Sequence, residues 1–297
     1  MAFWQKPSKN PQHRHHEDPR RGSSHGSSQS QQSHQSHKGS MSSTSWEPLA
    51  QWYDGWVGKD GSLHHQKLAV PVALDLLKLE STDSLLDVGC GQGVMAGKLA
   101  GKISAYHGID ASPSLIRMAQ QRTTQPNSRK LRFSVQDARS LKPSDLDRER
   151  FSSALFLLSI QDMDPVDRVL RSISQVLEDR SRIVIVMTHP CFRVPRQSGW
   201  GYDEGRKLVY RRVDSYLSPM TVPMKAFSGG KQGVSKSFHR PLQAYVEALS
   251  AQGFAITALK EVPTYKREES PGHLSKAKNR AYEEIPLFLA IRADRLS

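Results

Sequence analysis

The chain has 297 residues and a formal net charge of +13. No run of about 18 apolar residues occurs, which excludes a membrane-spanning helix. Two cysteines, Cys90 and Cys191, exclude a disulfide framework and a four-cysteine zinc site, and no metal ligand set is expected. The N-terminus lacks the apolar core of a signal peptide, so a cytoplasmic location is expected. Within residues 1–45, six Lys/Arg against Glu17 and Asp18 contribute +4 of the charge. The remaining +9 is spread over the rest, which argues against a nucleic-acid partner and fits solubility or attraction of anionic substrates.

Residues 1–45 hold Phe3, Trp4 and little else that is apolar, amid Ser, Gln, His and Gly. Such a composition cannot offset the entropy of ordering a backbone, so a disordered tail is expected. Its six histidines are irregularly spaced, as in a plain low-complexity segment. Met41 stands just before the first structured-looking segment, and the sequence leaves open whether translation starts there or at Met1.

From Trp46 the pattern changes. Trp46, Leu49, Trp52, Tyr53 and Trp56 recur at helical spacing, and a second helix is expected over Lys67–Leu79. Strand and helix signals then alternate. Strands are read at 84–89, 105–110, 131–137, 151–159 and 182–189, with helices over 93–100, 113–122 and 165–177 between them. The stretch 191–238 holds short strand-like pieces and a glycine-rich turn at Gly229–Gly230. A helix over 241–252 and strands at 254–262 and 286–293 follow. Seven strands with intervening helices predict one Rossmann-like, doubly wound α/β sheet. Residues 46–80 form N-terminal helices against it, and 191–238 form an inserted cap.

The informative segment is LLDVGCGQG, 85–93. A buried strand ends at Val88, and Gly89, Gly91 and Gly93 turn the chain into a helix. Such glycines let the backbone approach a ligand closely. The dinucleotide fingerprint would need glycine where Val94 stands, and no G-K-[ST] follows, so neither a dinucleotide site nor a P-loop is read. Asp110 ends the second strand, placed to accept both hydroxyls of a ribose. Asp137 ends the third, placed to receive an exocyclic amino group. Asp87, just before the glycines, is placed to hold an ammonium directly or through water. Together these describe a cationic, amino-acid-bearing adenosine without phosphates.

At these residues the sequence resembles the class I S-adenosylmethionine-dependent methyltransferases, in particular the type 11 or UbiE-like small-molecule group. The resemblance spans roughly 46–297. It implies that S-adenosylmethionine is the cofactor, with Gly89, Gly91 and Gly93 against its methionine part, Asp110 and Ala111 at the ribose, and Asp137 with Ala138 beside the adenine. It also implies that the last strand of the sheet is antiparallel.

Methyl transfer from a sulfonium is an in-line displacement, in which alignment, desolvation and sometimes a base are what a protein supplies. The acceptor is expected over the ends of strands four and five. Ser159, Gln161 and Asp162 follow strand four, Ser159 at the cofactor side and the other two facing the acceptor. The [D/N]-P-P-[Y/F] signature of amino-methylating DNA, RNA and protein enzymes is absent there. His189 ends strand five as the candidate general base, with holding the next loop as its alternative role. Pro190-Cys191 resembles the nucleophilic dipeptide of cytosine-C5 methyltransferases, yet follows strand five instead of four, so a half-buried thiol is the default. The cap offers Arg196 and Tyr210 to an aromatic or anionic acceptor. Trp56 joins them from the first helix and His239 from the His239-Arg240-Pro241 helix start. The expected function is methyl transfer to a small molecule (EC 2.1.1.-). The alternatives are an RNA or protein methyltransferase, which would need a basic groove, and a cofactor-binding protein without transfer. The sequence leaves the oligomeric state open.

Overall fold

Alternating burial along the strands fixes the layers. In strand β1 (Ser84–Val88) every residue is buried, and consecutive Leu85 and Leu86 enter different apolar clusters, one on each face of the sheet. The computed structural model describes residues 46–123, 130–148, 150–225 and 234–296. The 1–45 tail and the Gly229–Gly230 turn lie outside them.

In chain order the elements are α1 (Ala50–Val57), α2 (Val70–Leu77), β1, α3 (Ala96–Leu99), β2 (Ala105–Asp110), α4 (Pro113–Arg122), β3 (Leu131–Val135), β4 (Phe151–Leu157), α5 (Val166–Ser174) and β5 (Leu177–Thr188). Two hairpins follow, β6 (Ser198–Asp203) with β7 (Leu208–Val213) and β8 (Met220–Lys225) with β9 (Val234–His239). The chain then closes through α6 (Leu242–Ser250), β10 (Phe254–Val262), α7 (His273–Glu284) and β11 (Phe288–Arg295). Seven strands form one sheet in the order β10-β11-β5-β4-β1-β2-β3. β11 runs antiparallel to both β5 and β10, and the other six strands all run in one direction. This is the expected Rossmann-like sheet with its antiparallel last strand.

Because β1 pairs with β2 on one side and β4 on the other, the strand order reverses beside it. Sheets of this kind bind ligands at that switch point, beyond the carboxyl ends of the strands. α5 seals one face with Val166, Val169, Leu170 and Ile173 at helical spacing. Among the described residues no helix is long and apolar enough to cross a membrane.

Several elements differ from the sequence reading. The helix expected over 93–100 shrinks to Ala96–Leu99, because Gly91 and Gly93 at φ of +56° and +83° hold the preceding residues in turns. The helix expected from Lys67 starts as a π-helical turn, His65–Ala69. Pro71 has no amide for the helix ladder, and the widened turn stands directly before it. Trp46, Trp52, Tyr53 and Trp56 do not form a buried stripe: the first turn of this region buries Leu49 and Ala50, and Trp56 is 41% exposed. α7 has no counterpart in the sequence reading.

Candidate functional site

The glycine turn and the two strand ends beside it form one hydrogen-bonded unit. After β1 the amides of Gly89 and Cys90 both donate to the Ile109 carbonyl of β2, at 2.8 and 3.0 Å. Gly89 has φ +72°, and a Cβ there would lie 2.6 Å from the Ser159 Cβ. Only glycine fits that crossing. Ser159 donates to the Val88 carbonyl at 2.6 Å, which ties the end of β4 to the turn.

The acidic groups converge on this turn. Asp110 accepts from the Gly91 and Ser112 amides at 3.0 and 2.8 Å. Asp87 accepts from the Tyr106 hydroxyl at 2.6 Å, and its other oxygen is buried without a partner among the described residues. Burial pushes the Asp87 carboxyl up to about 7, with the Asp110 charge adding to it. Burial likewise raises Asp110 to about 6, against the lowering effect of the Ser112 and Gly91 amides. Asp162, in the turn after β4, is pushed up to about 7 by burial although the Ser237 and Trp46 side chains donate to it. Three carboxyls raised together and an orphaned Asp87 oxygen mark a place that lacks positive charge. A cationic ligand fits such a donor set.

The N-terminal segment roofs the turn. Glu47 accepts from the hydroxyls of Ser112 and Ser114 and from the Ser114 amide, fastening the segment to the start of α4. Ser112 also caps α4 by accepting from the Leu115 amide at 3.2 Å. Asp54 of α1 pairs with Arg122 at 2.6 Å. These contacts hold Tyr53 over Gly91, where an added Cβ would meet its ring at 3.5 Å.

Beyond the ends of β4 and β5 lies a cleft of about 310 Å³ counted to its open mouth, narrowing to about 20 Å³ of room for water. Leu158, Gln161 and Thr188 form its floor, with Phe288 from β11. Trp56, Ser62, His64 and His65 form the opposite wall. Leu158 carries φ +57°, a strained value for a non-glycine residue and one often found at ligand sites.

The expected site residues fall into three groups. Asp87, Gly89, Gly91, Gly93, Asp110 and Ser159 come together around the turn; Ala111 directly follows Asp110, and Asp162 stands nearby. Asp137 and Ala138 lie after β3, where the Asp137 carboxylate is gripped by Arg139 at 2.7–3.0 Å. Trp56 and Gln161 line the cleft. His189 does not; its Nδ1 accepts from the Cys191 amide at 3.2 Å, and its Nε2 lies 2.9 Å from Glu261. Both ring nitrogens therefore hold the loop after β5. His239 donates to the Tyr216 carbonyl at 2.6 Å. Arg196 donates to the Pro223 carbonyl, and Tyr210 lies across Gly201 on the first hairpin. That hairpin packs on α7 through Trp200 and Tyr282, and its Arg193 and Arg211 neighbours stack on the Trp200 ring. Cys191 donates weakly to the Tyr216 hydroxyl. His64, His65, Ser62 and Thr188 are cleft residues that the sequence reading missed. The adjacent histidines at the start of an apolar helix were the available signal.

Residues 79–195, from the approach to β1 to the loop after β5, match a family model described as a methyltransferase domain. Over these residues the chain is similar to a methyltransferase domain. It is 29% identical over 141 residues to an uncharacterized methyltransferase of Schizosaccharomyces pombe, an alignment covering 44% of this chain and 50% of that protein. The chain thus spans about half the length of the curated relative it matches. An S-adenosylmethionine-dependent methyltransferase from Mesorhizobium loti has the same fold, with a TM-score of 0.60 and 24% identity over 80% of this chain and 100% of the other. The [4+2]-cyclase SpnF also shares it, with a TM-score of 0.52 and 18% identity over 84% and 92% of the two chains. The second likeness shows that this fold hosts more than one chemistry, so what this chain does must be read from its site.

Proposed function

We propose that this chain transfers a methyl group from S-adenosylmethionine to a small-molecule acceptor. The observation that carries the reading is the convergence of Asp110 and Asp87 on the glycine turn, where Asp110 holds the Gly91 amide and Asp87 keeps one buried oxygen with no partner among the described residues. S-adenosylmethionine brings a sulfonium, an ammonium and a ribose to this place, and supplies an activated methyl group when bound. Asp110 would accept from the ribose hydroxyls while it holds the Gly91 amide. Asp87 would take the ammonium on its unpartnered oxygen. Asp137 would reach the adenine amino group by releasing one Arg139 contact, with Ala138 beside the ring. The Tyr53 ring over Gly91 keeps water from the turn and strengthens each charge contact there.

The acceptor cleft adjoins the turn through Leu158 and Gln161. Among the described residues no lysine or arginine lines it, which weighs against a phosphodiester acceptor and for a small neutral one. The narrowness of its floor points the same way.

Calorimetric titration with S-adenosylmethionine, S-adenosylhomocysteine and NAD tests the reading. Micromolar binding of the first two and none of NAD is the expected result. Absence of binding by both sulfur compounds would overturn the cofactor assignment. Tight binding of a structured RNA that competes with small acceptors would overturn the acceptor class.

A further inference from the structure

We propose that the ring of Tyr53 holds the positive charge of the cofactor's sulfonium, so that this residue tells S-adenosylmethionine from its demethylated product, S-adenosylhomocysteine. The proposal rests on the methyl-transfer reading above and adds a residue that the strand ends do not supply.

Asp110 and Asp87 are assigned to the ribose and the ammonium, which leaves the sulfonium without a named partner. Tyr53 is the side chain held over the turn. A Cβ on Gly91 would meet its ring at 3.5 Å, so the ring lies in ordinary contact range of the glycine backbone. Its plane is fixed by two neighbours. Trp46 stands 5.1 Å away at an interplanar angle of 67°, and Trp56 stands 6.3 Å away at 48°. The Trp46 side chain donates to Asp162, so it braces the ring and is not itself assigned to the cofactor.

The helix that carries Tyr53 is tied down at two further points. Asp54, the next residue, pairs with Arg122 of α4 at 2.6 Å. Gln92 of the glycine turn, only 1% exposed, donates from Nε2 to the Gly58 carbonyl just past the end of α1, at 3.4 Å. The ring and the turn therefore keep one spacing.

Charge decides what such a ring can take. Burial raises the Tyr53 hydroxyl pKa, and the charges of Asp110, Asp162 and Asp87 raise it further. The hydroxyl stays protonated at neutral pH, so the ring meets a ligand as a neutral aromatic and not as a phenolate. The same three acids place the ring inside a negative field. An aromatic face attracts a cation through its quadrupole, most strongly where water is excluded. A sulfonium has no N–H to give a carboxylate, and in that respect it resembles the quaternary ammonium groups that aromatic faces bind.

This contact exists only before transfer. As the methyl carbon–sulfur bond breaks, its electron pair stays on sulfur, and a neutral thioether faces Tyr53. The ring then has no charge to hold, while Asp87 and Asp110 keep their contacts. Tyr53 thus favours exchange of product for fresh cofactor.

Calorimetric titration of the full chain with S-adenosylmethionine and with S-adenosylhomocysteine tests this, because the two differ by the methyl group and its charge. Tyr53→Phe should keep the ratio of the two affinities. Tyr53→Leu should lower affinity for S-adenosylmethionine about tenfold more than affinity for S-adenosylhomocysteine. A chain with pentafluorophenylalanine in place of Tyr53 keeps the ring shape and reverses its quadrupole, and serves should Tyr53→Leu not fold. It should lower the ratio at least as far. A ratio unmoved by the fluorinated ring would overturn the proposal, and equal loss of both affinities would show that Tyr53 only excludes water. If neither compound binds the unaltered chain, the methyl-transfer reading falls and this proposal with it. If both bind and the ratio stays fixed across the variants, this proposal alone falls.

Discussion

The Asp110 carboxylate holds the Gly91 amide at 3.0 Å across a separation of 19 residues. The acid that ends β2 and the turn that follows β1 are therefore positioned by each other. Asp110→Ala removes two acceptors from backbone amides as well as the expected ribose contact. Cofactor affinity should fall by about 1–3 kcal/mol, the scale of hydrogen bonds to a charged group. Because two backbone amides also lose their acceptor, stability should fall as well, by about 1–3 kcal/mol. Calorimetric titration and a thermal scan on the same preparation check this, and unaltered affinity would remove Asp110 from the site.

The raised carboxyls give a pH signature. Asp110 at about 6 and Asp87 and Asp162 at about 7 lie above the ordinary carboxyl range, so the ligand-free fold binds more protons than the unfolded chain from about pH 4 to 7. Their contribution to stability therefore falls as pH rises through that window. A cationic cofactor favours the ionised forms, so its affinity should rise from pH 5.5 to 8 and its binding near pH 6 should release protons. Titrations in buffers of different ionisation enthalpy measure that release. Proton uptake on binding would contradict the assignment.

Much of this fold could be read from residue patterns, and the reasons are local. β1 and β2 end where Gly89 and Asp110 end them, and α4 starts at a serine cap followed by Pro113. The acids around the glycine turn were legible because each lies at a strand end. α7 escaped because its buried face is made of Ala277, Ala281 and Tyr282, small residues among many charges. The cleft escaped for a different reason. His64 and Phe288 lie far apart in sequence and meet only because β11 enters the sheet next to β5. The cap's arginines were harder to read: Arg193 and Arg211 are taken up by cation–π stacking on Trp200.

Arg182 and Asp83 form an ion pair that is only 14% and 13% exposed, at 2.6 Å. Arg182 also donates to the Leu77 carbonyl at 2.6 Å, which joins the end of α2 to β5. Burial raises the Asp83 pKa, but the Glu80 amide, Arg182 and Ser152 outweigh it and the net shift is downward. The stabilisation is thus present at neutral pH and lost as pH falls through the lowered value. Asp83→Ala strands a largely buried guanidinium and should cost about 3–5 kcal/mol in urea unfolding. A loss under 1 kcal/mol would show that the pair is solvated.

For His189 the geometry forecasts a structural phenotype. His189→Ala leaves the Cys191 amide without its acceptor and should lower stability by about 1–3 kcal/mol. The rate–pH profile of transfer should keep its shape. Loss of the acid limb in this variant would return the base role to His189.

β11 lies between β5 and β10, although it is the last strand of the sheet in chain order. Without it β10 has no hydrogen-bonded neighbour in the sheet, and the cleft lacks Phe288. During synthesis the glycine turn can form as soon as β2 emerges, about 180 residues before β11 does. The acceptor half of the site waits until residue 295 has cleared the ribosome. An unfinished chain on the ribosome should therefore be able to bind cofactor before it can hold an acceptor.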